Sequence, residues 1–161
     1  LAPEPELLIL DDPALGLDPV ARRALLEAMV YVTRRADRTI LFSSHLLSDV
    51  ERVADRVALM EESRITLVEE AESLKSRFRE LKVTFANGAP ERFDAPGIRS
   101  VRKEAREWLM VCERFGPDTL PQLQSQLPGA RTEARDMTLE EIFVALVGKP
   151  AAGAAEEGES K

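Results

Sequence analysis

Basic charge, aromatic side chains and cysteine are all scarce in this chain of 161 residues, and each scarcity excludes something. The 22 Lys and Arg stand against 29 Asp and Glu, a net charge of −7. A nucleic-acid binder would show a broad basic face, so no nucleic-acid partner is expected. Aromatics are only 5% of residues, so a core drawn from the 44% apolar fraction must rest on Leu, Val, Ile and Ala. One cysteine, Cys112, excludes an internal disulfide and fits a reducing, cytoplasmic compartment. No apolar run approaches the roughly 18 residues of a membrane span, and no stretch has the build of a signal peptide.

What is present is concentrated at two strand exits. Leu7 to Leu10 is a short apolar run bounded by Pro5 and Pro13, which predicts a strand buried on both faces. It ends in Asp11-Asp12 and a Gly-Leu-Asp-Pro turn. Asp18-Pro19 is a helix start, with Asp as cap and Pro in the first turn. That helix is expected to run to about Arg35, with Leu25, Met29 and Val32 on one face. A second strand, Thr39 to Ser43, leads through Ser44 to His45, the single histidine. Leu46, Val50 and Val53 mark a second helix, Arg56 to Met60 a third strand, and Arg64 to Val68 a strand that pairs with it. The order strand, helix, strand, helix, strand predicts an α/β fold with a parallel sheet and flanking helices.

In such a sheet, ligands lie beyond the carboxyl ends of the strands. Adjacent strands are about 4.8 Å apart, so Asp11, Asp12 and His45 can reach one ligand. Mg²⁺ takes one or two carboxylates together with waters and phosphates. Asp11 is the natural holder of a metal. Asp12, turned away from it by strand alternation, is placed for the attacking water, and His45 for a γ-phosphate.

The order LLILDDPALGLDP, helix, TILFSSH resembles the second half of the nucleotide-binding domain of ABC transporters. The resemblance implies ATP and Mg²⁺ as ligands and a role for each matching position. Leu7 to Asp11 matches the Walker B strand, with Asp11 holding Mg²⁺ through water. Asp12 falls where the family has its catalytic glutamate. Leu15 to Asp18 matches the D-loop, which faces a second nucleotide-binding subunit in a dimer. His45 matches the switch histidine at the γ-phosphate. The implied partners are transmembrane permease subunits, with this chain peripheral on the inner face of the membrane. Two departures bear on activity. Asp12 is one methylene shorter than glutamate, which predicts slow turnover. The chain also contains no G-x-x-x-x-G-K-[ST] loop and no Leu-Ser-Gly-Gly signature. The expectation is therefore the C-terminal part of a longer ATPase subunit. The alternative is a non-hydrolysing regulatory partner that acts through its C-terminal domain.

After about Val68 the pattern changes to a small α+β domain. A charged helix is expected over Glu70 to Phe78, then strands at Leu81 to Phe85, Ile98 to Lys103 and Glu107 to Glu113, with turns at Asn87-Gly88 and Pro96-Gly97. A helix over Asp118 to Leu127 and a strand over Arg131 to Arg135 follow. Thr138-Leu-Glu-Glu is a capping box that opens a helix with Leu139, Ile142, Phe143 and Leu146 as an intradomain stripe. This part is similar to the C-terminal extension of ABC-2 type exporter ATPases. The domains expected are 1–69, 70–147 and a disordered tail over 148–161. Cys112 and Trp108 read as core residues, and the Arg22-Arg23 and Arg34-Arg35 pairs as solvated helix ends.

Overall fold

The computed structural model describes residues 5–34, 38–86, 88–90, 93 and 96–148. The fold is mixed α/β, in two compact units, Leu1–Val68 and Glu69–Lys161.

In the first unit β1 (Leu7–Leu10) pairs in parallel with β2 (Thr39–Phe42), with Leu7 opposite Thr39 and Leu10 opposite Phe42. The crossover contains α1 (Pro19–Thr33), started by Asp18 Oδ1, which accepts from the Val20 and Ala21 N–H groups at 2.9 and 3.0 Å. Leu26 and Met29 are its buried residues, with Leu25 and Val32 half-buried beside them. Arg34 is the C-cap, and the expected extension to Arg35 lies outside the described residues.

Two expectations need correction here. The parallel pair is not buried on both faces: Leu7, Ile9 and Leu41 on one face are 53%, 67% and 58% exposed. A parallel strand needs cover on each side, and the described residues supply it on one side, where Leu10, Ile40 and Phe42 are half-buried. The third strand does not extend this sheet either. After α2 (Leu47–Val53), β3 (Arg56–Glu61) pairs with β4 (Arg64–Glu70) as a separate two-stranded sheet. Glu62 and Ser63 between them both have positive φ, 47° and 63°. Two left-handed residues make the tight turn that suits a hairpin, and so short a link joins antiparallel strands only.

The second unit is α+β. Following α3 (Ala71–Arg77), strands β5 (Arg79–Phe85), β6 (Ile98–Lys103), β7 (Glu107–Cys112) and β8 (Ala130–Asp136) form an antiparallel sheet in the order β6-β7-β5-β8. Alternation along β5 and β7 sends Leu81, Val83, Phe85, Trp108, Met110 and Cys112 to one face. Leu123 and Leu127, from α4 (Thr119–Gln126) and its cap, join them in the core. Trp108 meets Phe85 and Phe93 edge to face, at 4.8 and 5.6 Å between centroids. Gly97, at φ 87°, turns the chain into β6 where a Cβ would lie 3.3 Å from Arg114 Cβ. Asn87 and residues 149–161 lie outside the described residues, so the Asn87-Gly88 turn and the disordered tail do too.

The last helix, α5 (Leu139–Val147), is fixed at both ends. Thr138 Oγ1 accepts from the Glu141 N–H, and Glu141 Oε2 accepts from the Thr138 N–H at 2.9 Å. At the other end Arg99 donates to the Ala145 and Leu146 carbonyls at 2.6 and 2.8 Å, and to Glu113 at 3.0 Å. Arg77 bridges Glu113 and Glu69. Burial acts to raise the Glu113 pKa, but hydrogen bonds from Arg77 and Arg99 outweigh it and hold the carboxyl below its usual range. The predicted apolar stripe is split: Leu139 and Ile142 are buried, while Phe143 is 37% exposed and Leu146 half-buried. With both termini of a nine-residue helix tied, packing admits Leu139 and Ile142 and leaves Phe143 at the rim. No described helix is long and apolar enough to cross a membrane.

Candidate functional site

The parallel ladder continues one step past its strands, because the Ser43 N–H donates to the Leu10 carbonyl at 3.0 Å. Asp11 and Ser43, next along each strand, therefore emerge side by side. The Ser43 hydroxyl donates to Asp11 Oδ1 at 2.6 Å and accepts from the Asp12 N–H at 2.8 Å.

Asp12 then leaves the strand conformation altogether, at φ 41°. Strand alternation is thus not what separates the two carboxylates; a left-handed residue does so. Aspartate is among the few non-glycine residues that visit this region readily. The chain winds on through Pro13, Ala14 and Gly16, with the Leu15 N–H on the Asp12 carbonyl at 3.0 Å. The backbone turn brings Asp12 Oδ2 to 2.6 Å from His45 Nδ1. An ionised carboxylate only accepts, so Nδ1 carries the proton in this contact. The other Asp12 oxygen, Oδ1, is buried and has no hydrogen-bond partner among the described residues. A buried acceptor left unpaired costs about 1–3 kcal/mol, so this oxygen is an unfilled demand for a donor.

Of the four residues singled out in the sequence, Asp11, Asp12 and His45 are joined, the first two through Ser43. Asp18 serves as the exposed cap of α1, and among the described residues no hydrogen bond ties it to the other three. No cluster of three or more His, Cys, Asp or Glu suited to a metal occurs among the described residues. An all-protein cage is therefore not built here. Asp11 instead offers one carboxylate with Oδ1 taken by Ser43, which suits an ion that completes its shell with water and phosphate.

Two functional elements escaped sequence reasoning. Ser43 was counted as strand; the signal was its register, one residue past Phe42 as Asp11 is one past Leu10. Arg22 was expected to be a solvated helix end. It pairs instead with Asp49, which is 3% exposed and the one buried charged residue among those described. Arg22 Nε lies 2.9 and 2.7 Å from the two Asp49 oxygens. The bridge ties α1, which follows the turn after Asp12, to α2, which follows His45. In the second unit a groove of about 580 Å³ lies beside α5. Its Glu80, Arg99 and Glu141 are already engaged in ion pairs and helix caps within that unit.

No family model matches the chain. It is 26% identical over 147 residues to the ABC transporter ATP-binding protein YtrB of Bacillus subtilis, covering 91% of this chain and 50% of that protein. It is 29% identical over 150 residues to the Nod factor export ATP-binding protein I of Rhizobium meliloti, covering 91% and 44%. The energy-coupling factor transporter ATP-binding protein EcfA2 of Enterococcus faecalis matches over 65 residues at 40% identity, 40% of this chain and 22% of that protein. The chain thus spans about half the length of the curated relatives it matches across both units. Its homologues are ATP-binding proteins of ABC transporters.

Proposed function

We propose that this chain is the C-terminal part of an ATP-binding subunit that couples Mg-ATP hydrolysis to export by an ABC transporter. Residues 1–69 are the second half of the nucleotide-binding domain, residues 70–147 a C-terminal extension and residues 148–161 a tail. The observation that carries the reading is the Asp12–His45 pair with its orphaned oxygen. Asp12 orients the attacking water, while its Oδ2 fixes the imidazole through Nδ1. His45 turns Nε2 to the γ-phosphate. Asp11 would hold the metal. Mg²⁺, when bound, neutralises charge developing on the phosphates. Asp18, the last residue of the D-loop and the cap of α1, faces a second ATP-binding subunit and the nucleotide held there. Membrane permease subunits are separate partners, and the chain works from the cytoplasmic side.

The test is ATP turnover by the complete reading frame that contains these residues. Asp12→Asn and His45→Ala are each expected to lower kcat by about 10²–10⁴-fold, the range for a lost general acid or base, with ATP binding retained. Undiminished turnover in Asp12→Asn overturns the assignment. The 161-residue chain by itself carries no phosphate loop and is expected to bind ATP weakly; calorimetry showing micromolar affinity refutes this. The shorter Asp12 side chain favours the second reading, a non-hydrolysing partner. Asp12→Glu separates the two. A rise in turnover supports a slow ATPase, and an inactive protein in both forms supports the partner.

A further inference from the structure

We propose that the Ser43 hydroxyl is the positioning residue of this site, a latch that sets both carboxylates at once. It rests on the reading of Asp11 and Asp12 given above, and adds a residue to it. Ser43 is exposed, and its hydroxyl is what the site uses. That hydroxyl faces two different demands: Asp11 Oδ1 needs a donor and the Asp12 N–H needs an acceptor. A hydroxyl meets both with one atom. Alanine meets neither, and valine fills the space of threonine without the polar atom.

Two consequences follow from the geometry. First, the hydroxyl fixes the Asp11 carboxylate through Oδ1, in the orientation from which it would hold a cation. Second, the Asp12 amide is held where the backbone must adopt φ 41°. A left-handed backbone is strained for any residue with a Cβ, and a hydrogen bond to its amide offsets part of that strain. Without the latch the chain relaxes toward extended backbone, and the Asp12 carboxylate swings off His45 Nδ1. Ser43 therefore decides whether the pair exists. It also makes the two strand exits move as one, because the same atom, one residue past β2, holds both residues after β1.

The test uses the whole chain, with Ser43→Ala, Ser43→Val and Ser43→Thr. It reads the Asp12 amide exchange rate, the His45 Nδ1–H signal in nitrogen-15 NMR, and Mn²⁺ affinity by water-proton relaxation. In the alanine and valine variants the Asp12 amide exchanges about tenfold faster, as loss of one hydrogen bond implies. The low-field Nδ1–H signal disappears, and Mn²⁺ affinity falls about tenfold. Threonine restores all three, which a serine with a merely structural role would not require. Unchanged Asp12 and His45 signals in Ser43→Ala overturn the proposal, as does a folded Ser43→Thr chain that stays impaired. So does a wild-type Asp12 amide that exchanges like a free loop amide. A wild type that ignores Mn²⁺ while the NMR signals respond as expected overturns the metal role of Asp11 and leaves the latch standing.

Discussion

Replacing Arg99 with methionine keeps the length and apolar stem of the side chain and removes the fork that closes α5. Three bonds go: those to the Ala145 and Leu146 carbonyls and that to Glu113. Hydrogen bonds from a charged donor are worth about 1.5–3 kcal/mol each, but the Arg99 side chain is 24% exposed, so water replaces part of them. Glu113 also retains Arg77. About 1 kcal/mol for each helix carbonyl and about 0.5 kcal/mol for the weakened ion pair give a loss of about 2–3 kcal/mol. Trp108, the sole tryptophan and 2% exposed, reports the unfolding of this unit by fluorescence. With a urea slope of about 1 kcal/mol/M, suited to a unit this small, the midpoint should fall by about 2 M. Lysine has one nitrogen where arginine has a fork, so Arg99→Lys is expected to recover no more than half. Hydrogen exchange should show α5 losing protection ahead of the sheet. A midpoint shift below about 0.5 M, the level of an ordinary surface substitution, refutes this reasoning, as does full recovery by lysine. Burial of Leu139 and Ile142 would then be enough to hold the helix.

Two further outcomes are expected. Arg22→Met strands Asp49, 3% exposed, without its partner, and should speed exchange across both α1 and α2; adding Asp49→Leu should restore most of it, and a single variant without effect sinks the idea. Acid should weaken the second unit, because the Arg135 hydrogen bond and the Thr138 N–H hold Glu141 at about 2, and Glu113 is also lowered. A depressed carboxyl stabilises fully above the unfolded value near 4.3 and loses that contribution as pH falls toward the folded one. Glu141 is 37% exposed, so its share is held to about 1 kcal/mol. Trp108-monitored midpoints should decline from pH 5 to pH 2 in the wild type and less steeply in Glu141→Gln; equal slopes would exclude Glu141 as a source.

What could be read from the sequence was local. The Thr138 and Glu141 capping box, the Asp18 cap and the strand exits at Asp11 and His45 all show as short patterns, because each depends on neighbours within a few positions. What could not be read depends on partners far along the chain. Arg22 finds Asp49 across 27 positions, and Ser43 finds Asp11 across 32. Neither pairing leaves a trace in periodicity. The expectation that β1 is buried followed from its composition, which records the environment a strand suits, and the described residues cover it on one side only. β3 was assigned to the parallel sheet because alternation of strands and helices favours it; the left-handed Glu62-Ser63 turn gave it a nearer partner. The stripe on α5 was right for Leu139 and Ile142 and too wide by Phe143, since the anchors at Thr138 and Arg99 fix how far a short helix can roll.

Cys112 sits on β7 between Arg79 of β5 and Ile98 of β6, wholly buried, and burial pushes its thiol up. It is also the chain's one thiol. An alkylating reagent therefore has a single target, and reaches it only when this end of the antiparallel sheet opens. The rate of labelling in native buffer, divided by the rate for the unfolded chain, is then the fraction of molecules open at that point at any instant. Cys112 is in this way a clock for the breathing of the second unit, readable by mass alone.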